Sequence, residues 1–214
     1  MATDELVLRA SFCEVCRWMW QRGLIGSVEG NLTARLDADR LLITPKGKHK
    51  GTLKPNDMVV IDLEGKALGG GTPSSEVKLH LEVYAQRPDC SAAIHAHPPI
   101  ATGFALAHET IPDNLLPEAA VFLGSVALVP FAMPGTDATR DAIRPLLDDH
   151  KTFLLANHGA LVLGTDIYDA FARMETLERV ATVVYNSHLI GNPVSLPQRD
   201  FQALLENSLS GKLG

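Results

Sequence analysis

Apolar and polar positions change period several times along the chain, and each change marks an element. Residues 4 to 22 repeat at helical spacing (Val7, Ala10, Phe12, Cys16, Met19, Trp20), with Thr3 or Asp4 available as N-cap and Gly23 as a stop. The period then shortens to two. Asn31-Leu32-Thr33-Ala34-Arg35-Leu36 and Leu41-Leu42-Ile43-Thr44 predict two strands, and the short connection between them makes an antiparallel hairpin. Met58 to Leu63 predicts a third strand. Thr72 as N-cap and Pro73 at the first helical position open a helical run through Tyr84, so Ser74, Ser75 and Glu76 fall in its first turn. Ala92-Ala93-Ile94 then leads into His95-Ala96-His97 and closes at Pro98-Pro99, a strand that carries both imidazoles on one face.

The second half continues the alternation. A short helix is predicted from Ile100 to His108, a strand from Val126 to Phe131, and a helix from Thr136 or Asp137 to Leu147. Leu115 to Phe122 fits a strand or a helix equally. Thr152 to Leu163 is an apolar strand pair interrupted by Asn157-His158-Gly159. A long amphipathic helix follows from Thr165 or Asp166 to about Leu189, and a last one from Arg199 to about Leu209. This is an α/β chain without repeats, low-complexity tracts or linkers, which predicts one domain over residues 1–214.

Composition narrows the function classes. Of 214 residues, 46% are apolar and 21% charged, the balance of a soluble globular chain. A net charge of -6 argues against nucleic acid as a partner and requires any phosphate site to be local. No apolar run approaches the ~20 residues that span a bilayer, and the first residues lack a signal-peptide pattern, so a cytoplasmic enzyme is expected, away from membranes. Three cysteines make no disulfide framework, and Cys13-x-x-Cys16 lies within a helical pattern, which reads as two reduced thiols.

Four stretches carry candidate chemistry. His95 and His97 at i, i+2 have the geometry of metal ligands, and also that of an ordinary strand end. Lys46-Gly47-Lys48-His49-Lys50 is either a solvated basic turn or an anion cradle, since glycines admit backbone N–H groups to a phosphate and lysines add charge. Ser74, Ser75 and Glu76 at a helix start either cap the helix or offer hydroxyls and amides to an anion. His158, set in an apolar run, is a hydrogen-bonded core residue unless other ligands converge on it. Three imidazoles from two strands plus a carboxylate would suit a catalytic divalent metal with one open position.

In their order, Gly30-Asn31, Ile43-Thr44-Pro45-Lys46-Gly47, Pro73-Ser74-Ser75-Glu76, His95-Ala96-His97 and Asn157-His158-Gly159 resemble the class II aldolase/adducin family, in particular its L-fuculose phosphate aldolase-like members. The resemblance runs from about residue 5 to about residue 193. It implies a three-layer α/β/α domain around a mostly antiparallel sheet, assembled as a homotetramer with active sites at subunit interfaces. It also implies zinc on His95, His97 and His158, with manganese, cobalt or iron also chemically acceptable. Glu76 would touch the metal at rest and act as acid/base once substrate displaces it, with the raised basicity of a partly buried carboxylate. Asn31, Thr44, Lys46, Gly47, Ser74 and Ser75 would form the phosphate side of the substrate site.

The implied reaction is aldol cleavage of a short phosphorylated ketose to a ketone phosphate and an aldehyde, in which the metal stabilises an enediolate. Decarboxylases, dehydratases and epimerases of phosphorylated sugars or sugar acids are the alternatives, with a non-catalytic adducin-like interaction module behind them. Two departures matter. Lys46 stands where the aldolases carry a small hydroxyl residue, so the anion there is a phosphate or a carboxylate. The aldolases' proton-donor tyrosines are missing; Leu116-Pro117-Glu118 occupies the inner stretch, and Glu118 is the candidate replacement. The related 4-epimerases carry lysine and aspartate at the positions of Thr44 and Glu76, which favours an aldolase over an epimerase. The resemblance predicts that His158→Ala loses bound metal, whereas Glu76→Gln keeps most of it and loses turnover; metal analysis of each purified variant beside an activity assay separates the two roles.

Overall fold

In the computed structural model, which describes residues 4–209, alternating strands and helices build one mixed sheet between two helical layers. In chain order the elements are α1 (Glu5–Gln21), β1 (Asn31–Arg35), β2 (Arg40–Ile43), β3 (Val59–Asp62), α2 (Val77–Gln86), β4 (Ala92–Ala96) and α3 (Pro99–Ala107). They continue with β5 (Val126–Val129), α4 (Ala138–Ile143), β6 (Thr152–Leu155), β7 (Gly159–Gly164), α5 (Ile167–Ile190) and α6 (Gln198–Leu209). The seven strands lie in the order β3-β2-β1-β4-β7-β6-β5. Every neighbouring pair is antiparallel except β5 with β6. The expected three layers and mostly antiparallel sheet are therefore present.

Strand alternation divides the core in two. Leu32, Ala34, Leu42, Ala92, Ile94 and Ala96 face one way and pack against α1, α3 and α5. Leu41, Ile43, Ala93, Leu161 and Leu163 face the other way, against α2 and α4. His95 shares the second face with Ala93, so the candidate ligands open toward α2. Cys13 and Cys16 are buried free thiols on α1, as their helical setting predicted. Asp4 caps α1 by accepting the Leu6 N–H at 2.9 Å, while the alternative cap, Thr3, lies outside the described residues.

Helix α2 begins later than its sequence implied. Lys46 N–H donates to Thr72 O at 2.9 Å and Ser74 N–H to Thr44 O at 3.2 Å, and Pro73 bridges Pro45. Backbone groups that would have entered a first helical turn thus extend the ladder beyond β2, and the helix starts at Val77 with Glu76 at its N-cap position. The ambiguous Leu115 to Phe122 stretch is helical at its end: Ala119–Leu123 forms a π-turn that Gly124, at φ 63°, terminates. Pro130 ends β5 at Val129, short of Phe131, and Pro145 converts the end of α4 into a 3-10 turn.

The α2–α4 contact is ionic as well as apolar. Glu82 is sealed from solvent and accepts hydrogen bonds from Arg144, Arg140 and Gln86. The Arg144 hydrogen bond leads in pulling its pKa to about 2, against the opposing effect of burial. The group is depressed, so its contribution is complete at neutral pH and disappears as pH falls from about 4.5 toward 2. Glu82→Gln is expected to cost about 1–3 kcal/mol at pH 7. Denaturant melts at pH 7 and pH 3 should show that gap narrowing in acid.

Candidate metal centre

Antiparallel pairing of β1 with β4 sets Asn31 opposite His95. His95 is completely buried, and its Nδ1–H donates to the Ala160 carbonyl at 2.9 Å. That bond assigns the tautomer and leaves the Nε2 lone pair facing inward. His97 follows the last residue of β4, and α3 starts two residues later. At the head of α3, the Ile100 and Ala101 N–H groups donate to the Glu178 carboxylate of α5, each at 2.9 Å. Toward its other end, Ala105 O accepts the Asn157 N–H at 3.2 Å and His108 Nε2–H donates to Asn157 Oδ1 at 2.7 Å. Asn157 is held at φ 57°, a left-handed turn that Asn tolerates, and presents His158 as the next residue. Helix α3 is thus a strut with a candidate ligand beyond each end.

Three imidazoles converge. His95 Nε2 lies 3.1 Å from His97 Nε2, and one ring nitrogen from each of His95, His97 and His158 falls within a 4.8 Å cluster. Glu76 spans two of them, with Oε2 3.3 Å from His95 Nε2 and Oε1 3.3 Å from His158 Nε2. Burial, followed by the charges of His95 and His158, pushes His97 down to about 4, and burial also lowers His158. Neutral imidazoles with converging lone pairs are the donor set of a divalent cation, so the residues present fit one.

The surroundings of Glu76 favour its ionised form. Burial does raise its pKa, but the close contact and charge of His95, then the charge of His158 and the Asn31 amide, outweigh that and hold the carboxyl well below the usual carboxylate range. The Asn31 Nδ2–H donates to Oε2 at 2.8 Å. That amide is the one clear hydrogen-bond donor to the Glu76 carboxylate among the described residues, and the His95 and His158 Nε2 atoms lie 3.3 Å from its two oxygens.

The expected phosphate side is only partly assembled. Thr44 is buried, with its Oγ1 accepting the Leu32 N–H at 3.1 Å. Ser74 is buried beside it and its Oγ accepts the Glu76 N–H at 3.4 Å. Ser75 is exposed, and so are Lys46 and Gly47, the latter at φ 69°. The lysine loop does not act as one cradle. Lys48 pairs with Asp57, and Lys50 is buried, its Nζ donating to Val28 O at 2.9 Å and Lys48 O at 3.2 Å. Lys46 lines an open groove with Arg9, Lys48 and Asp57. Glu118 is exposed in a groove with Leu116, Glu175 and Arg179, which contains none of the imidazoles. The helical turn that carries it packs on α5, on the sheet face opposite α2.

Residues 10–185 match the model of the class II aldolase and adducin N-terminal domain. The chain belongs to the class II aldolase and adducin family. This family is generally dependent on divalent metals, which agrees with the imidazole cluster. The chain is 32% identical to the 3-oxo-tetronate 4-phosphate decarboxylase of Haemophilus influenzae, over 85% of this chain and 88% of that one. It is 31% identical to the L-fuculose phosphate aldolase of Methanocaldococcus jannaschii, over 85% and 98%. The crystal structure of YgbL from Escherichia coli superposes with a TM-score of 0.88 at 29% identity, over 94% of this chain and 99% of that one.

Sequence reasoning passed over His80, which lies in the apolar run of α2, and it gave no special weight to Thr33 or Tyr84. Their signal is spacing: Glu76, His80 and Tyr84 recur every four residues on a helix, while Asn31 and Thr33 recur every two on a strand. Gly159 is constrained by close approach. A Cβ there would lie 2.5 Å from the Ala96 carbonyl oxygen and 2.5 Å from the His97 ring. Gly159→Ala should therefore displace His97 and weaken metal binding roughly 10- to 100-fold. Gly103→Ala, which meets nothing within 4 Å on α3, should leave it unchanged; metal titration of the two proteins checks this.

Proposed function

We propose that this family member is a cytoplasmic, divalent-metal-dependent carbon–carbon lyase that decarboxylates a short phosphorylated 3-keto sugar acid. The observation that carries the reading is one ionised carboxylate, Glu76, lodged between two of three convergent imidazoles. His95, His97 and His158 would hold the cation, zinc being the first choice for three imidazoles. Such a cation, when bound, would supply Lewis acidity that stabilises the negative charge developing on the ketone.

The chain's own residues account for the remaining steps. Asn31, Thr44, Ser74 and Ser75, with Lys46 and Gly47 from the neighbouring loop, would bind the phosphate and position the ketone. The carboxyl carbon leaves as carbon dioxide, and its bonding pair moves onto the adjacent carbon and the carbonyl oxygen. Glu76 begins as proton acceptor, takes the proton of the hydroxyl beside the ketone, and passes it to the carbon that lost carbon dioxide; water restores the hydroxyl. The sum is one proton consumed, one carbon dioxide released and one ketone phosphate formed. Leu79, Val129, Pro130, Ala132 and Leu155 line an apolar slot against Glu76 and His158.

Aldol cleavage of a ketose phosphate is the second reading, favoured by the 31% identity to a fuculose phosphate aldolase. That reaction also requires a group that takes a proton from the hydroxyl on the departing side. Glu29, which faces His97, is committed to the N–H groups of Gly26 and Val28. A homotetramer that brings Glu118 of a second copy to the site would supply the group. Metal-loaded protein should release carbon dioxide from 3-oxo-tetronate 4-phosphate and stop when stripped with chelator. Aldehyde from L-fuculose 1-phosphate without carbon dioxide from the acid would replace decarboxylation by aldol cleavage, and purified protein without stoichiometric metal would sink both.

A further inference from the structure

Behind Glu76 runs a chain of buried polar groups that metal binding does not require. Four residues of helix advance ~6 Å and two residues of strand ~6.6 Å, so α2 and β1 can face each other rung for rung. Glu76 at the N-cap of α2 and His80 and Tyr84 within it are the rungs on one side, and Asn31 and Thr33 those on β1. The Tyr84 O–H donates to Thr33 Oγ1 at 3.0 Å. Thr33 donates to His80 Nδ1 at 2.6 Å, His80 Nε2–H donates to Asn31 Oδ1, and Asn31 Nδ2–H donates to Glu76 Oε2 at 2.8 Å. Every link points the same way and the chain ends on the carboxylate.

We propose that His80 is a positioning residue for Glu76, acting through the Asn31 amide, and that Asn31 serves the proton-carrying group as well as any substrate anion. An Asn side chain can turn over and present its oxygen instead of its nitrogen. Here that flip would set Asn31 oxygen against an anionic carboxylate and its NH2 against a histidine N–H. His80 prevents it by presenting a hydrogen at Nε2, and Thr33 holds it in that tautomer by occupying Nδ1. Burial pushes His80 down to about 3 and Tyr84 well above its ordinary value, so both keep one protonation state through the neutral range. His80, Thr33 and Asn31 are at most 1% exposed, so water does not compete for these bonds. Both ring nitrogens of His80 are engaged, and the polar network has its value in direction.

The inference rests on Glu76 as the proton carrier, and its test uses a step common to decarboxylation and aldol cleavage. Metal-loaded protein is incubated with dihydroxyacetone phosphate in D2O, and exchange of the hydroxymethyl C–H is followed by NMR across substrate concentrations. His80→Leu should lower kcat for exchange roughly 10- to 100-fold while metal content and KM stay within about threefold. His80→Gln, whose amide N–H can take the place of Nε2–H, should recover most of it. Thr33→Val keeps the imidazole and frees its tautomer, which protects the test should His80→Leu not fold. It should lower kcat by a smaller factor, and 15N spectra should show His80 shifting from pure Nε2–H to a tautomer mixture.

If the unaltered protein does not exchange, the functional reading fails and this assignment with it. If the unaltered protein exchanges and His80→Leu matches it, the assignment alone is wrong. Equal losses in His80→Leu and His80→Gln, accompanied by loss of metal, would reduce His80 to a core residue and overturn the proposal.

Discussion

The antiparallel register of β1 on β4 is the constraint from which the centre follows. It places Asn31 opposite His95 on the face that α2 covers, and so brings an amide within hydrogen-bonding distance of a carboxylate that arrives from a different part of the chain. A shift of one residue in that register would turn Asn31 and Thr33 into the α1/α5 core and expose Leu32 to the histidine face. The apolar alternation of both strands opposes the shift, because Leu32, Ala34, Ile94 and Ala96 are all buried on the far side. Hydrophobic burial, distributed over the sheet, thus fixes the position of polar groups that could not hold it by themselves.

Helix α3 supplies the second half of the geometry. It begins two residues after His97 with its first free N–H groups on Glu178, and its last turn holds Asn157 immediately before His158. The two imidazoles are therefore coupled through one helix, which accounts for side chains of such different origin meeting within 4.8 Å. Gly159 completes the arrangement by letting β7 approach the carbonyl of Ala96, where any side chain would collide with the His97 ring.

The electrostatics of the centre follow from this crowding. Burial disfavours charge on His97 and His158, so both present lone pairs, while the Asn31 amide is the group that donates to the Glu76 carboxylate. Asn31 donates there in only one of its two orientations, and the buried His80 and Thr33 line up behind its other end.

Much was legible from residues alone. The alternation of Leu32 and Ala34 with Asn31 and Thr33 announced β1, and the spacing of His95 and His97 announced two imidazoles on one face. Five motifs in a characteristic order led to the family. These signals are local, or are ordered along the chain, and survive without coordinates. Tertiary structure alone decided what depended on competition between partners. Pro73 bridges Pro45 in place of opening α2, because ladder pairing claimed its neighbours' backbone groups. The lysine loop divides into a buried amine, an ion pair and one exposed side chain, because Lys50 found carbonyl partners in the interior. His80 looked like one more position in an apolar helix face until β1 came to lie against it. Periodicity reports which way a side chain points; what it meets there depends on the register of a strand some fifty residues away in sequence, and only the folded chain sets that.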